Sequence, residues 1–177
     1  QGPDHYPAHE QDGQHDPRYI PELYQVWLKT RVDVVQACRD FSNYPAYKVF
    51  GNRFLSLAAS ILGGVWYRDV ESNYRIMKVG VYKDLVKFFT GYRYSGAFEA
   101  GIILGVMGKK IDNSFPVKVP YYRSGSTFMD GFHVLGTGLW TRIKLLAGLA
   151  RKPENLRLLE SQVEECYLRT SPAGIVP

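Results

Sequence analysis

Apolar positions recur at helical spacing over much of the chain, and the interruptions divide it into segments. Between residues 21 and 41, Leu23, Trp27, Val34, Cys38 and Phe41 share one face, widened by Val26 and Ala37. Lys29, Arg31, Asp33 and Arg39 fall mostly opposite. Pro21 suits a first helical position and Glu22 complements the helix dipole, so the stretch predicts an amphipathic helix stopped by Ser42-Asn43-Tyr44-Pro45. Residues 54–67 then run without a charge between Arg53 and Arg68. At ~1.5 Å per residue such a run falls short of the ~30 Å hydrocarbon core, which leaves a buried helix or a short span in a thinned bilayer. Ser56, Ser60 and Gly64 form a stripe of small residues along it. Residues 70–90 set Lys78, Lys83 and Lys87 against Ile76, Val79, Val81, Leu85 and Phe89, which predicts a basic-faced helix broken near Gly80.

The stretch 94–110, YSGAFEAGIILGVMGKK, is the most distinctive. Ala97, Gly101 and Gly105 recur every four residues, giving a helix one side almost bare of side chains, as in the small-residue seams of membrane helix pairs. Glycines at this density each cost an isolated helix about 1 kcal/mol relative to alanine, so the helix needs a close-packed partner. That partner is expected in another chain. Glu99 is the one charge inside the run and is expected to seek a basic partner. Arg93 at one end and Lys109 and Lys110 at the other are placed to meet headgroups or a partner surface.

Pro116 and Pro120 exclude helix from the following stretch, so an extended Pro-rich linker is expected over 111–128. C-terminal helices follow at 129–170, the last with Leu156, Leu159, Val163 and Cys166 on one side, and then a short tail at 171–177. Arg142 and Lys144 within residues 131–150 argue for a helix lying at an interface or packed on protein. Residues 1–19 hold Pro, Gly, His and acids with few aliphatic side chains, so they form an extended acidic arm before the helical region 20–110. The fold class is therefore mainly α: amphipathic or short apolar helices with extended arms, and room for one or two short membrane-embedded helices.

Composition narrows the function classes. A mean hydropathy of −0.23 excludes a polytopic membrane protein. The 14% aromatic content suits interfaces and membrane–water boundaries. The net charge of +5 is uneven: Asp4, Glu10, Asp12, Asp16 and Glu22 oppose Arg18 alone, so the rest is more basic still. Those basic residues are dispersed, which disfavours nucleic acid and fits anionic lipid. His5, His9 and His15 lie near Asp4, Asp12 and Asp16, yet Pro7 breaks any helical histidine pair and no cysteine joins them, so no metal site is expected. Cys38 and Cys166 are expected as buried thiols in helices. A start at Gln1 is compatible with a removed mitochondrial presequence.

No phosphate loop, nucleophile elbow or HExxH occurs, and Gly136-Thr137-Gly138 lacks the third glycine of a dinucleotide fingerprint. His133 has only Asp130 nearby. No catalytic residue, cofactor or small-molecule substrate is expected from these patterns.

The segment 98–110, FEAGIILGVMGKK, resembles the C-terminal membrane segment of mitochondrial ATP synthase subunit g. Gly101 and Gly105 match its GxxxG glycines and Lys109-Lys110 its basic closure, while Glu99 stands just before the motif rather than inside it. The resemblance implies a helix pair with subunit e and a part in dimerising the synthase and shaping the inner membrane. The expectation is thus a non-catalytic subunit of a mitochondrial inner-membrane complex, with other subunits and lipid as partners. The ATP synthase comes first, a respiratory-chain complex second, and a mitochondrial ribosomal protein on RNA third.

Overall fold

The computed structural model describes residues 16–91, 95–119 and 128–148. The chain is mainly helical, as its periodicity predicts, with short strands between the helices. The arm at 1–15 with its histidines, Arg93, Cys166, the 153–169 helix and the tail lie outside the described residues.

Helix α1, Ile20–Thr30, begins with Pro21 in its first turn and buries Leu23 completely. It does not continue to Phe41. Arg31 adopts a left-handed conformation (φ 54°) and its N–H closes on the Trp27 carbonyl at 2.9 Å, which ends the helix. Val32, Val34 and Val35 then favour extended backbone, and the chain forms β1, Val34–Gln36, and β2, Cys38–Arg39. Cys38 is therefore a half-buried strand residue rather than a helical one, and burial raises its thiol pKa.

Helix α2, Ala46–Gly63, ends at Gly64, whose φ of 74° is costly for any residue with a Cβ. The stretch expected as a basic-faced helix instead opens with β3, Arg75–Met77, and only then forms α3, Val79–Val86, with Gly80 inside its first turn. Helix α4, Gly96–Val106, is followed by β4, Ile111–Asp112, and β5, Pro116–Val117, and helix α5 spans Phe128–Leu146. The linker is thus extended where described, but it is sheet-paired.

Strand β1 lies at the centre of a three-stranded sheet, antiparallel to β3 and parallel to β4, with Val35 opposite Ile76 and Val34 opposite Ile111. Strands β2 and β5 pair in parallel beside it. Both faces of β1 are covered. Val34 packs with Val81, Leu85, Ile103 and Leu104, while Val35 packs with Leu23, Ala37 and Val117.

Helix α4 is the hub, with every residue from Ala97 to Gly105 buried. Helices α2 and α5 pack on it and on each other. A Cβ at Gly105 would lie 2.5 Å from the Gly63 carbonyl oxygen, so α2 and α4 meet at backbone contact there. Gly101 lies beneath Val70 and Tyr67, and Gly138 of α5 receives Phe98 and Ile102. The close-packing partner is in the same chain, not in another one. Among the described residues, no helix is long and apolar enough to cross a membrane.

Candidate functional site

The loop leaving α2 carries an acid, a second acid and an arginine into the seam between helices and sheet. Two serines of α2 fix its backbone: Ser60 Oγ accepts from Tyr67 N at 2.9 Å, and Ser56 Oγ accepts from Val70 N at 3.0 Å. The small-residue stripe of α2 therefore works as a row of hydrogen-bond acceptors. Tyr67 closes the loop against α4, its hydroxyl donating to the Gly101 carbonyl at 2.7 Å. Burial raises the pKa of that hydroxyl and keeps it a neutral donor.

Held in this way, Asp69 meets Arg39 of β2. Arg39 donates through Nε to Oδ2 at 2.7 Å and through a terminal nitrogen to Oδ1 at 2.8 Å, a bidentate pair. The Arg39 backbone N–H adds a bond at 3.0 Å, and Asn52 of α2 accepts from the guanidinium at 3.2 Å. The Asp69 side chain is wholly buried and that of Arg39 only 13% exposed. Burial disfavours the charge on Arg39, but its bonds to Asp69 outweigh this and raise its pKa.

Arg75, where β3 begins, donates to the carbonyls of Val70 at 2.8 Å and Ala97 at 2.9 Å. Burial lowers its pKa. Glu71 completes the group. Desolvation lifts its pKa to about 7, opposed by the nearby cations of Arg39 and Arg75 and assisted by Asp69. Gln36 Oε1, Glu71 Oε1, Ser72 Oγ and Arg75 Nε are buried and have no hydrogen-bond partner among the described residues. Native interiors hold few such atoms, and here they cluster with a carboxyl that titrates near neutrality. One donor, Arg75 Nε, and three oxygens are left open there, so a ligand meeting them has to donate hydrogen bonds as well as accept one.

A second network surrounds Glu99, whose side chain is wholly buried. Thr90 N and Gly91 N each donate to its Oε2 at 3.0 Å, and Thr141 Oγ1 donates to Oε1 at 3.0 Å. Lys144 of α5 lies 3.5 Å from the same carboxylate. Glu99 therefore finds a basic partner on a neighbouring helix of its own chain. Thr90 and Gly91 also line a cleft of about 940 Å³ whose walls include Arg75, Tyr82, Phe89 and Ala100.

The structure separates the other residues singled out in the sequence. Ala97, Gly101 and Gly105 lie in the core. Lys109 pairs with Asp84 at 3.2 Å, and Lys110 is exposed, its backbone N–H bonded to Asp33 at 3.0 Å. Sequence patterns missed Arg39, Asp69, Glu71 and Arg75. The visible trace was an acid–x–acid–x–x–x–Arg run following a charge-free helix.

No family model matches the chain, and no solved structure matches it. Curated proteins similar to it include an uncharacterized protein of Methanocaldococcus jannaschii, 32% identical over 132 residues, covering 70% of this chain and 55% of that protein. Another is the UDP-N-acetylglucosamine–dolichyl-phosphate N-acetylglucosaminyltransferase of Methanococcus voltae, 29% identical over 132 residues, covering 70% of this chain and 52% of that protein. The chain thus spans about half the length of these relatives. Because 70% of the chain is aligned, its middle, including Asp69, Glu71, Arg75 and Glu99, falls inside the aligned stretch wherever that begins.

Proposed function

We propose that this chain is part of a glycosyltransferase that moves a sugar from a nucleotide diphosphate donor to a lipid phosphate. The observation that carries the reading is the likeness of its central stretch to a transferase of that description. Asp69, Glu71 and Arg75 fall within that stretch, and with Arg39 they form a polar group that offers chemistry of the right kind. In the reaction, an oxygen of the lipid phosphate attacks the anomeric carbon as that carbon's bond to the donor phosphate oxygen breaks. The nucleotide diphosphate leaves with the bonding electrons. Arg75 offsets charge on the phosphates, and Glu71 accepts the proton that a monoanionic acceptor phosphate still carries near neutrality. Asp69 holds Arg39 and the loop in place. The glycine stripe on which a helix-packing subunit of a mitochondrial membrane complex was expected is occupied within the chain.

The test is transfer of radiolabel from UDP-N-acetylglucosamine to dolichyl phosphate, read as label extracted into organic solvent. Glu71→Gln and Arg75→Lys should each lower the rate at least tenfold while leaving the helical circular dichroism intact. Absence of any lipid-linked sugar across a panel of nucleotide sugars would overturn the proposal.

A further inference from the structure

Helix α2 is built inside out for a helix on a water-facing surface. The side against α4 carries the small residues Ser56, Ala59 and Gly63, all buried. Its outer side carries Tyr47, Phe50, Phe54, Leu57 and Ile61, all exposed, with Phe50 at 74% and Ile61 at 73%. These five recur at steps of three and four and form one continuous stripe, about 20 Å long at ~1.5 Å per residue. An amphipathic helix facing water would put polar residues there. Neighbouring α5 adds exposed Phe132, Leu139, Trp140 and Leu146, and Trp66 stands exposed just beyond the α2 terminus.

The charges say what fits this surface. Helix α2 contains Lys48 and Arg53 and no acid, Arg68 lies two residues after Trp66, and α5 carries Arg142 and Lys144 against the one acid Asp130. Aromatic and aliphatic side chains flanked by cations match the acyl–headgroup boundary of an anionic bilayer, where such a helix lies in the plane of the interface. Neither helix is long and apolar enough to cross. We infer that the outer stripe of α2 docks the protein flat onto an anionic lipid surface. This stands on the stripe and its flanking charges and does not depend on sugar transfer.

The test is co-sedimentation of the whole protein with vesicles of phosphatidylcholine, with and without phosphatidylglycerol. Binding should require or strongly favour phosphatidylglycerol. Phe50→Ser and Ile61→Ser should each weaken it roughly tenfold, and Arg53→Gln should reduce the preference for phosphatidylglycerol by about fivefold. Thermal midpoints of the two serine variants should equal or exceed that of the parent, because both side chains are largely exposed. Three results would overturn the inference. One is no vesicle binding, or equal binding by the serine variants. Another is a lowered midpoint in those variants, which would mean that the chain itself covers the stripe. The third is a dimer on gel filtration that the serine variants dissociate, which would assign the stripe to a second copy.

Discussion

Glu71 is an acid whose chemistry departs far from that of a free side chain, and its effect on stability has a definite sign. Burial lifts its pKa from 4.5 to about 7 although Arg39 and Arg75 lie nearby. An acid that holds its proton more tightly when folded leaves stability unaffected below its unfolded pKa. Stability is then lost as pH rises from there through the folded value. The window is about 4.5 to about 7, and at ~1.4 kcal/mol per unit it amounts to roughly 3 kcal/mol. Glu71→Gln removes the ionisation and leaves the rest of the loop in place. Relative to the parent, the variant should therefore gain roughly 2–3 kcal/mol between about pH 5 and about pH 8 in paired urea titrations. An unchanged difference would mean that Glu71 titrates as an exposed acid does. The expected direction is opposite to that of Asp33, whose pKa is lowered by its hydrogen bonds to Lys78 and to the Lys110 backbone.

Among the elements, the two glycines of α4 make different predictions despite their equal spacing. A Cβ at Gly105 would press on the backbone of Gly63, which α2 cannot move without losing its contact. One at Gly101 would meet Val70 Cγ2 at 2.5 Å, the end of a side chain on a loop. Gly105→Ala should thus cost about 2–3 kcal/mol in denaturant unfolding and Gly101→Ala about 1–2, since overpacking is cheaper where the neighbour can rotate. Equal losses would mean that the helices separate as rigid bodies. The stripe itself was legible, because a four-residue repeat of small side chains has few readings other than close approach. What covers it was not, because the small-residue stripe of the partner helix reads through Gly64, which caps that helix, rather than through Gly63, which makes the contact. Strand β1 was missed for a related reason. Both of its faces are buried, so Val34 and Val35 show no apolar–polar alternation, Val34, Cys38 and Phe41 fall at near-helical spacing instead, and the left-handed turn at Arg31 has no glycine to announce it. The site was hidden further by the assignment of residues 70–90 to a helix. That reading places Glu71 and Arg75 one turn apart on a surface, whereas the loop turns them inward.

At the scale of the whole molecule, the segment from Tyr67 to Arg75 ties the helical core to the sheet, which that core also meets through Ile111 of β4 and through Arg39 on Asn52 of α2. The helical core centres on Ala59, Tyr67, Phe98, Ile102 and Val134, and the sheet is sealed by Leu23, Val35, Ala37 and Val117 on its far side. Asp69 bridges them, binding Arg39 of β2 through its carboxylate while its carbonyl accepts from Gln36 of β1. Arg75 does the same from the other end, tying β3 to the Ala97 carbonyl of α4. Polar ties at a seam of this kind hold the parts in register as well as adding stability. Asp69→Asn keeps the shape but leaves the Arg39 guanidinium largely buried without its counter-charge, a loss of about 3–5 kcal/mol. If the tie couples the cores, the loss will be global: one unfolding transition at lower denaturant, with faster hydrogen exchange at β1 and α4 amides alike. If the cores are independent, only the amides near Arg39 and the loop will accelerate, and α4 will keep its protection. The double variant Arg39→Met with Asp69→Leu separates charge from connection. It removes both ions and fills similar volume, so it should recover much of the stability lost in Asp69→Asn. The loop's backbone, still held by Ser56 and Ser60, should then keep its course between the two cores.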